Sequence, residues 1–424
     1  MKEYKNRIAD KILSLKLESS GAVLIEGPKW CGKTTTAEQH AQSTLYMDDP
    51  ENAEQNVRLA TISPKRLLSG DTPRLIDEWQ IAPQLWDAIR FAVDHQGGLG
   101  QFILTGSAVP AERSKIHHTG TGRFSWLRMR PMSLFESGDS TGEVGLGQLF
   151  TSPAQIDGQS RLTLDDIAYL ICRGGWPQAL AIRKDIASST ARNYYDAVVN
   201  NDISRVDGVA RSSDRAKRVM RSYARAQGSQ MSLSAIRKDV LTNDVDTFDA
   251  DTLYAYVDAL KKIFVIEDSP AWNPNLRSKS AIRTSDTRYF VDPSIATAAL
   301  GAGPNDLIGD LGTMGLLFET LCVRDLRVYA DALDGEVYHY RDSSGLECDA
   351  VVHLRNGSYG LIEIKLGGES LIREGIETLR KMANVIDTAK MKSPAFRMIL
   401  IATGLYAYRT DDGTYIVPIG CLRD

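Results

Sequence analysis

Cysteine is scarce in this chain. Five are present in 424 residues, at Cys31, Cys172, Cys322, Cys348 and Cys421, scattered singly and with no CxxC. An odd, unclustered set argues against a disulfide framework or a structural zinc and predicts reduced thiols, mostly in the core. Histidine is equally sparse: His40, His95, His117, His118, His339 and His353 fall in no metal-ligand spacing, so packing or surface roles are expected. No uncharged apolar run reaches the roughly 18 residues of a membrane span, and there is no internal repeat or low-complexity tract. The opening MKEYKNRIADKILSLKLESSG is charged throughout and lacks the basic-then-apolar layout of a secretory leader, so a cytoplasmic protein with no membrane partner is expected. What is present is ordinary globular composition, 43% apolar and 25% charged, with a net charge of −4. That charge is uneven. Between Arg205 and Arg288 stand 15 Lys/Arg against 11 Asp/Glu, a local +4 that leaves −8 elsewhere.

The sharpest pattern comes early. The apolar run Ala22-Val23-Leu24-Ile25 leads into GPKWCGKT, Gly27 to Thr34, and then into the helix-compatible TTAEQHAQ. This is GxxxxGK[ST] between a strand and a helix, the arrangement of a phosphate-binding P-loop. Gly27 and Gly32 let the loop wrap so that backbone N–H groups point inward, and the helix N-terminus adds partial positive charge. Gly27, Pro28, Lys29, Trp30, Cys31, Gly32, Lys33, Thr34 and Thr35 are therefore the expected ATP cradle. Lys33 would neutralise β/γ oxygens, and Thr34 would offer its hydroxyl to Mg²⁺. Downstream, the strand-like Pro73-Arg74-Leu75-Ile76 ends in Asp77-Glu78, with Asp77 expected near Mg²⁺ and Glu78 as general base toward water. A further apolar run, Gln101 to Leu104, leads into Thr105-Gly106-Ser107. Thr105 and Ser107 read equally as γ-phosphate sensors or, for Ser107, as a cap for a helix over AVPAERSKIHH.

This order of elements resembles the AAA+ ATPases, and within them a bacterial and archaeal subgroup with an LTGS strand and a Gly-Arg before the last strand. The resemblance implies that Arg123 is an arginine finger acting in a neighbouring subunit, hence a homo-oligomer; Arg113, Arg128 and Arg130 are its local competitors, and a plain surface turn is the alternative. Arg173-Gly174-Gly175-Trp176-Pro177 is similar to the Gly-x-Pro element of lid regions in related ATPases, which implies Pro177 as an adenine contact or, otherwise, a helix-breaking turn.

A helix is expected over Ser188 to Gly208, a basic one from Arg211 to Arg225, and two more over Ser232–Val240 and Thr247–Ile263, followed by the strand-like FVIED. This outlines a winged helix, serving either DNA or RNA through flanking Arg/Lys or protein packing. Further on, one helix is expected from about Leu307 to Ala330, then strands at Gly335–Tyr340, Leu346–Leu354 and Tyr359–Lys365. Glu363 and Lys365 share one strand face by period-two geometry, with Asp349 on the neighbouring hairpin strand. With Glu319 on the preceding helix, the layout resembles the PD-(D/E)xK nuclease-like superfamily. That likeness implies Asp349, Glu363 and Glu319 as ligands for Mg²⁺ or Mn²⁺, and Lys365 as the group orienting an attacking water.

The expected fold is α/β, with a P-loop AAA+-like core (1–150), a helical lid and connector (151–210), a winged-helix-like part (211–292) and a restriction-endonuclease-like α/β domain (293–424). The segment from Ser137 to Arg161 is expected to be an irregular connection. The expected function is Mg-dependent ATP hydrolysis coupled to a nuclease-like domain acting on nucleic acid. The alternative is an ATP-gated switch or scaffold whose C-terminal domain is non-catalytic and only binds a partner.

Overall fold

A computed structural model describes residues 4–109, 119–151, 155–241, 248–274, 285–388 and 391–424. The expected helix over AVPAERSKIHH, with Arg113, His117 and His118, lies for the most part on 110–118, outside the described residues. The described chain forms two compact units, and neither is a continuous stretch. The first comprises residues 1–131, 200–212 and 258–265; the second comprises 132–199, 213–257 and 266–424.

In the first unit, β1 (Ala22–Glu26), β2 (Ser43–Tyr46), β3 (Arg74–Asp77), β4 (Phe102–Gly106) and β5 (Phe124–Arg128) form one sheet in the order β2-β3-β4-β1-β5. Every pairing is parallel. Strand periodicity explains its two covered faces. Ala22, Leu24, Ile76, Phe102 and Leu104 pack into one apolar cluster with Trp79, Trp86 and Ile89, while Val23, Ile25, Leu75 and Ile103 pack into another with Leu13, Cys31 and Ala37. β1 is therefore an interior, buried strand between β4 and β5, and its C-terminal end opens into the loop that precedes helix Lys33–His40. Ligands of parallel sheets bind beyond such strand ends.

In the second unit, β6 (Val144–Gly145) and β7 (Gly158–Gln159) are followed by β8 (Gly335–Arg341), β9 (Glu347–Leu354), β10 (Tyr359–Lys365), β11 (Phe396–Ile401), β12 (Tyr406–Arg409), β13 (Tyr415–Pro418) and β14 (Leu422–Arg423). Seven of them make a mixed sheet ordered β7-β12-β13-β11-β10-β9-β8, and β6 pairs with β14. Helix Glu369–Val385 lays Leu379 and Met382 against Val351, Leu361 and Ile399 of this sheet. The segment expected as an irregular connection thus supplies β6 and β7 to C-terminal partners. Two-residue strands carry no periodic signal of their own; they exist because Leu422 and Ala407, far along the chain, offer backbone groups to pair with.

Two expected helices are also revised. Leu307–Ala330 is split into Pro304–Gly309 and Leu311–Ala332, because the Asp310 side chain accepts from the Thr313 N–H and caps a new start. The Ser188–Gly208 helix runs regularly only over Ser189–Ala197, then loosens into a π-turn at Val198–Asp202 before a short turn at Ile203–Arg205. Helices Ser213–Arg225, Leu233–Leu241 and Ala250–Lys262 follow. Ile266 then bridges Phe290, and Ser269 bridges Thr287, both antiparallel.

A buried ionic group ties the second unit together. Arg324 and Asp325 lie side by side on helix Leu311–Ala332, and the guanidinium also reaches Asp292 at 2.8 Å. Asp325 accepts the Leu134 N–H at 2.9 Å and Asp292 accepts the Gly175 N–H at 2.9 Å. Each carboxylate therefore has both a charge partner and a backbone donor, the condition for burying it.

Candidate functional site

The loop after β1 is shaped by backbone that favours glycine. Gly32 has φ 102°, and a Cβ at Gly27 would lie 2.0 Å from the Met129 carbonyl oxygen. Trp30 also adopts positive φ and is half-exposed at the loop, while Cys31 is buried beneath it. Lys33 is buried, and its ammonium donates to the Gly27 and Pro28 carbonyls at 3.0 and 2.8 Å. Pro28 thus contributes its carbonyl to the loop's interior. Lys29 turns the other way and pairs with Asp202 at 2.7 Å. Thr34 lies in the first turn of helix Lys33–His40, with Thr35 beside it, exposed.

β3 ends at Asp77, next to β4, so the register brings together the acids and the Thr105/Ser107 hydroxyls. Thr34 Oγ1 donates to Asp77 Oδ1 at 2.7 Å, and the Thr105 hydroxyl donates to the same oxygen. Burial pushes the Asp77 carboxyl above the ordinary carboxylate range; the two hydroxyls oppose this, and the charges of Glu78 and Asp48 add to it. A cation at Thr34 and Asp77 would relieve that electrostatic cost, so these donors fit Mg²⁺. Glu78 sits at φ 54°, ψ 42°, an unusual conformation for a non-glycine residue. Its Oε2 accepts from Ser107 Oγ at 2.9 Å and from the Gln80 amide. Ser107 thus donates to Glu78, and the helix it was expected to cap lies outside the described residues.

Arg123 lies just before β5, partly exposed, and its Nε donates to Asp94 Oδ1 at 2.7 Å. Arg128 stacks on Phe264, 4.3 Å from the ring centroid. Two residues that sequence reasoning missed shape the loop. The buried Arg7 guanidinium donates to the Cys31 and Arg130 carbonyls at 2.7 and 2.8 Å, and the Tyr4 hydroxyl lies 2.9 Å from Asp10 and from Thr36. An arginine before a helix carries no local mark of such a role. Pro177, in the second unit, opens a 3₁₀ turn at Pro177–Ala181 behind the buried Trp176.

The C-terminal residues converge on β9, β10 and helix Leu311–Ala332. Lys365 Nζ lies 2.8 Å from Glu363 Oε2 and 3.7 Å from Asp349 Oδ2, which also accepts the Ile364 N–H at 2.7 Å. Glu363 is buried, and its Oε1 has no hydrogen-bond partner among the described residues. Burial, with the Asp349 charge adding, raises the Glu363 carboxyl to about 8; Lys365 opposes the shift. Glu319 accepts from the Tyr289 hydroxyl, and burial followed by the Asp349 charge drives its carboxyl well above the ordinary range. Tyr289 is a partner the sequence did not reveal. Among the described residues, no group of three or more His, Cys, Asp or Glu side chains is arranged to hold a metal ion. On the basic helix, Arg225 is paired with Asp239 at 2.5 Å and Arg215 lies 5.8 Å from the Phe248 ring centroid; Lys217, Arg218, Arg221 and Arg225 are all exposed. No helix among the described residues is long and apolar enough to cross a membrane.

Residues 19–137 match an AAA domain, residues 164–306 a domain of unknown function (DUF8612), and residues 314–422 another domain of unknown function (DUF4143). The chain is 25% identical over 364 residues to proteins of Mycobacterium bovis and Mycobacterium tuberculosis described as uncharacterized, covering 85% of this chain and 74% of each relative. A Walker-type ATPase of Pyrococcus abyssi overlaps with a TM-score of 0.44 at 16% identity, across 70% of this chain and 96% of that one. With the Gly27–Thr34 loop following an interior strand of a parallel sheet, the match of residues 19–137 to an AAA domain supports a P-loop ATPase.

Proposed function

We propose that the protein binds Mg·ATP at Gly27–Thr34 and hydrolyses it, and that this turnover drives a nuclease-like C-terminal domain acting on nucleic acid. The observation that carries the ATPase reading is the meeting of Thr34 and Thr105 on Asp77, beside a Lys33 ammonium already inside the loop. Lys33 and the loop N–H groups hold the phosphates and offset their charge. Thr34 and Asp77 would hold Mg²⁺, which would supply charge neutralisation at the transferring phosphoryl group. Glu78, aimed by Ser107 and Gln80, takes the proton of the attacking water. Arg123 serves as an arginine finger in an assembled homo-oligomer after leaving Asp94. The test is steady-state phosphate release with Mg·ATP. Lys33→Ala is expected to abolish it through lost binding, and Glu78→Gln to lower kcat about 10²-fold or more with ATP still bound. Unchanged turnover in Glu78→Gln would sink the general-base assignment.

For the C-terminal domain, Glu363, Asp349 and Glu319 do not stand as a metal-holding group among the described residues, so the site requires metal binding to draw them together around Glu363 Oε1, with Lys365 orienting water. Mg²⁺ or Mn²⁺ fits these oxygen donors, and Lys217, Arg218 and Arg221 offer contacts to a DNA or RNA backbone. The second reading, a non-catalytic partner-binding domain, is favoured by the Lys365–Glu363 ion pair occupying the place of a divalent charge. Incubating wild type and Lys365→Ala with single- and double-stranded DNA and RNA, in each metal with and without ATP, separates them. A metal-dependent cut lost in the variant supports the first; silence from both proteins supports the second.

A further inference from the structure

The ammonium of Lys29 belongs to the phosphate loop but is not turned into it. It pairs with Asp202 Oδ1 at 2.7 Å, while Lys33, four residues on, lies inside. The two ends of this pair differ. The Lys29 side chain is 42% exposed and the Asp202 side chain 10%, so the lysine can swing while the carboxylate is held. Asp202 closes the π-turn Val198–Asp202, and such turns recur at functional sites. The stretch after it is braced. Ile203 and Val206 are buried, Arg211 makes two bonds of 2.7 Å to Asp207 and one of 2.8 Å to the Ile203 carbonyl, and Ser204 Oγ accepts the Arg211 N–H at 2.9 Å. A rigid bracket therefore presents one carboxylate to one loop lysine.

We infer that Asp202 and the nucleotide's polyphosphate compete for Lys29, so that binding exchanges the Lys29–Asp202 pair for a Lys29–phosphate pair. This rests on Gly27–Thr34 being the ATP site. The trade favours phosphate at small cost, because a partly exposed ion pair is weak and loses to a multiply charged phosphate chain. Asp202 is thus a positioning residue that tunes affinity by ligand charge: triphosphate gains most from the exchange, diphosphate less, the uncharged nucleoside nothing. The exchange also leaves Asp202 without its cation, which loosens 198–212, a stretch continuous in sequence with both units.

The experiment titrates the full chain with Mg·ATP, Mg·ADP and adenosine by calorimetry. It compares wild type, Asp202→Asn, Lys29→Met, the double variant, and Lys33→Ala. Asp202→Asn is expected to tighten ATP about two- to fivefold, to tighten ADP less and to leave adenosine unchanged. Lys29→Met is expected to weaken ATP, with the double variant matching it. Amide exchange over 198–212 should quicken when wild type binds Mg·ATP and stay constant in Lys29→Met. Unchanged or weaker ATP binding by Asp202→Asn overturns the proposal, as does constant exchange in wild type or tightening that survives the loss of Lys29. If Lys33→Ala binds ATP like wild type, the loop reading itself fails; if it loses ATP while Asp202→Asn is silent, only the exchange fails.

Discussion

Asp77 and Asp325 are both buried carboxylates held above their ordinary range, yet they are stabilised in opposite ways. Asp77 has hydroxyl donors and acidic neighbours, which leaves it short of positive charge; Asp325 has Arg324 and the Leu134 N–H, which leaves it complete. The first arrangement suits a cation that comes and goes, the second a permanent joint. Burial raises Asp325 to about 6, above the roughly 3.9 of an unfolded chain. Between those values the folded chain holds a proton that the unfolded chain has released. Stability contributed by this group therefore falls as pH rises from about 4 to about 6 and is flat above. Urea unfolding of wild type and Asp325→Asn at pH 4, 5, 6 and 7 is expected to show wild type losing ground to the variant across that interval alone. A constant difference would mean that Asp325 does not titrate there.

At the scale of elements, the loop after β1 is the most demanding piece of backbone. A Cβ on Gly27 would meet the Met129 carbonyl at 2.0 Å, whereas one on Gly122, also at positive φ, would meet nothing within 4 Å. Gly27→Ala is therefore expected to abolish ATP binding and lower the melting temperature, while Gly122→Ala costs only about 1 kcal/mol in backbone preference. Equal melting temperatures for the two variants would contradict this. The same loop explains what was legible in the sequence. Gly27, Gly32, Lys33 and Thr34 stand within eight residues, and their chemistry depends on local backbone, so the pattern carries the site. Asp77 and Glu78 were legible because a strand end places them. Arg7, Gln80, Asp202 and Tyr289 were not, since their roles arise from contacts that strand register and helix packing create. β6 and β7 escaped for the same reason: neither has a pattern apart from its distant partner. The charge count in the basic middle was readable; which cations are tied up, as Arg225 is by Asp239, was not.

At the scale of the whole molecule, the chain enters the first of its two compact units three times. A fragment ending at Pro131 keeps all five strands of the nucleotide sheet and the whole phosphate loop. It lacks Asp202, the Phe264 ring stacked on Arg128 and the Lys262 carbonyl that accepts the Val109 N–H at 3.1 Å. Such a fragment is expected to be markedly less stable than the full chain in urea and to bind Mg·ATP more weakly. Full-strength binding by it would show the later segments to be dispensable.

That threading also imposes a schedule on synthesis. A nascent chain that has released Pro131 still awaits about 130 residues before Val265 completes the first unit, on the order of ten seconds at ordinary elongation rates. Throughout that interval the parallel sheet stands without its last two segments. The nucleotide unit is thus begun first but finished only after residues that belong to its neighbour have been translated.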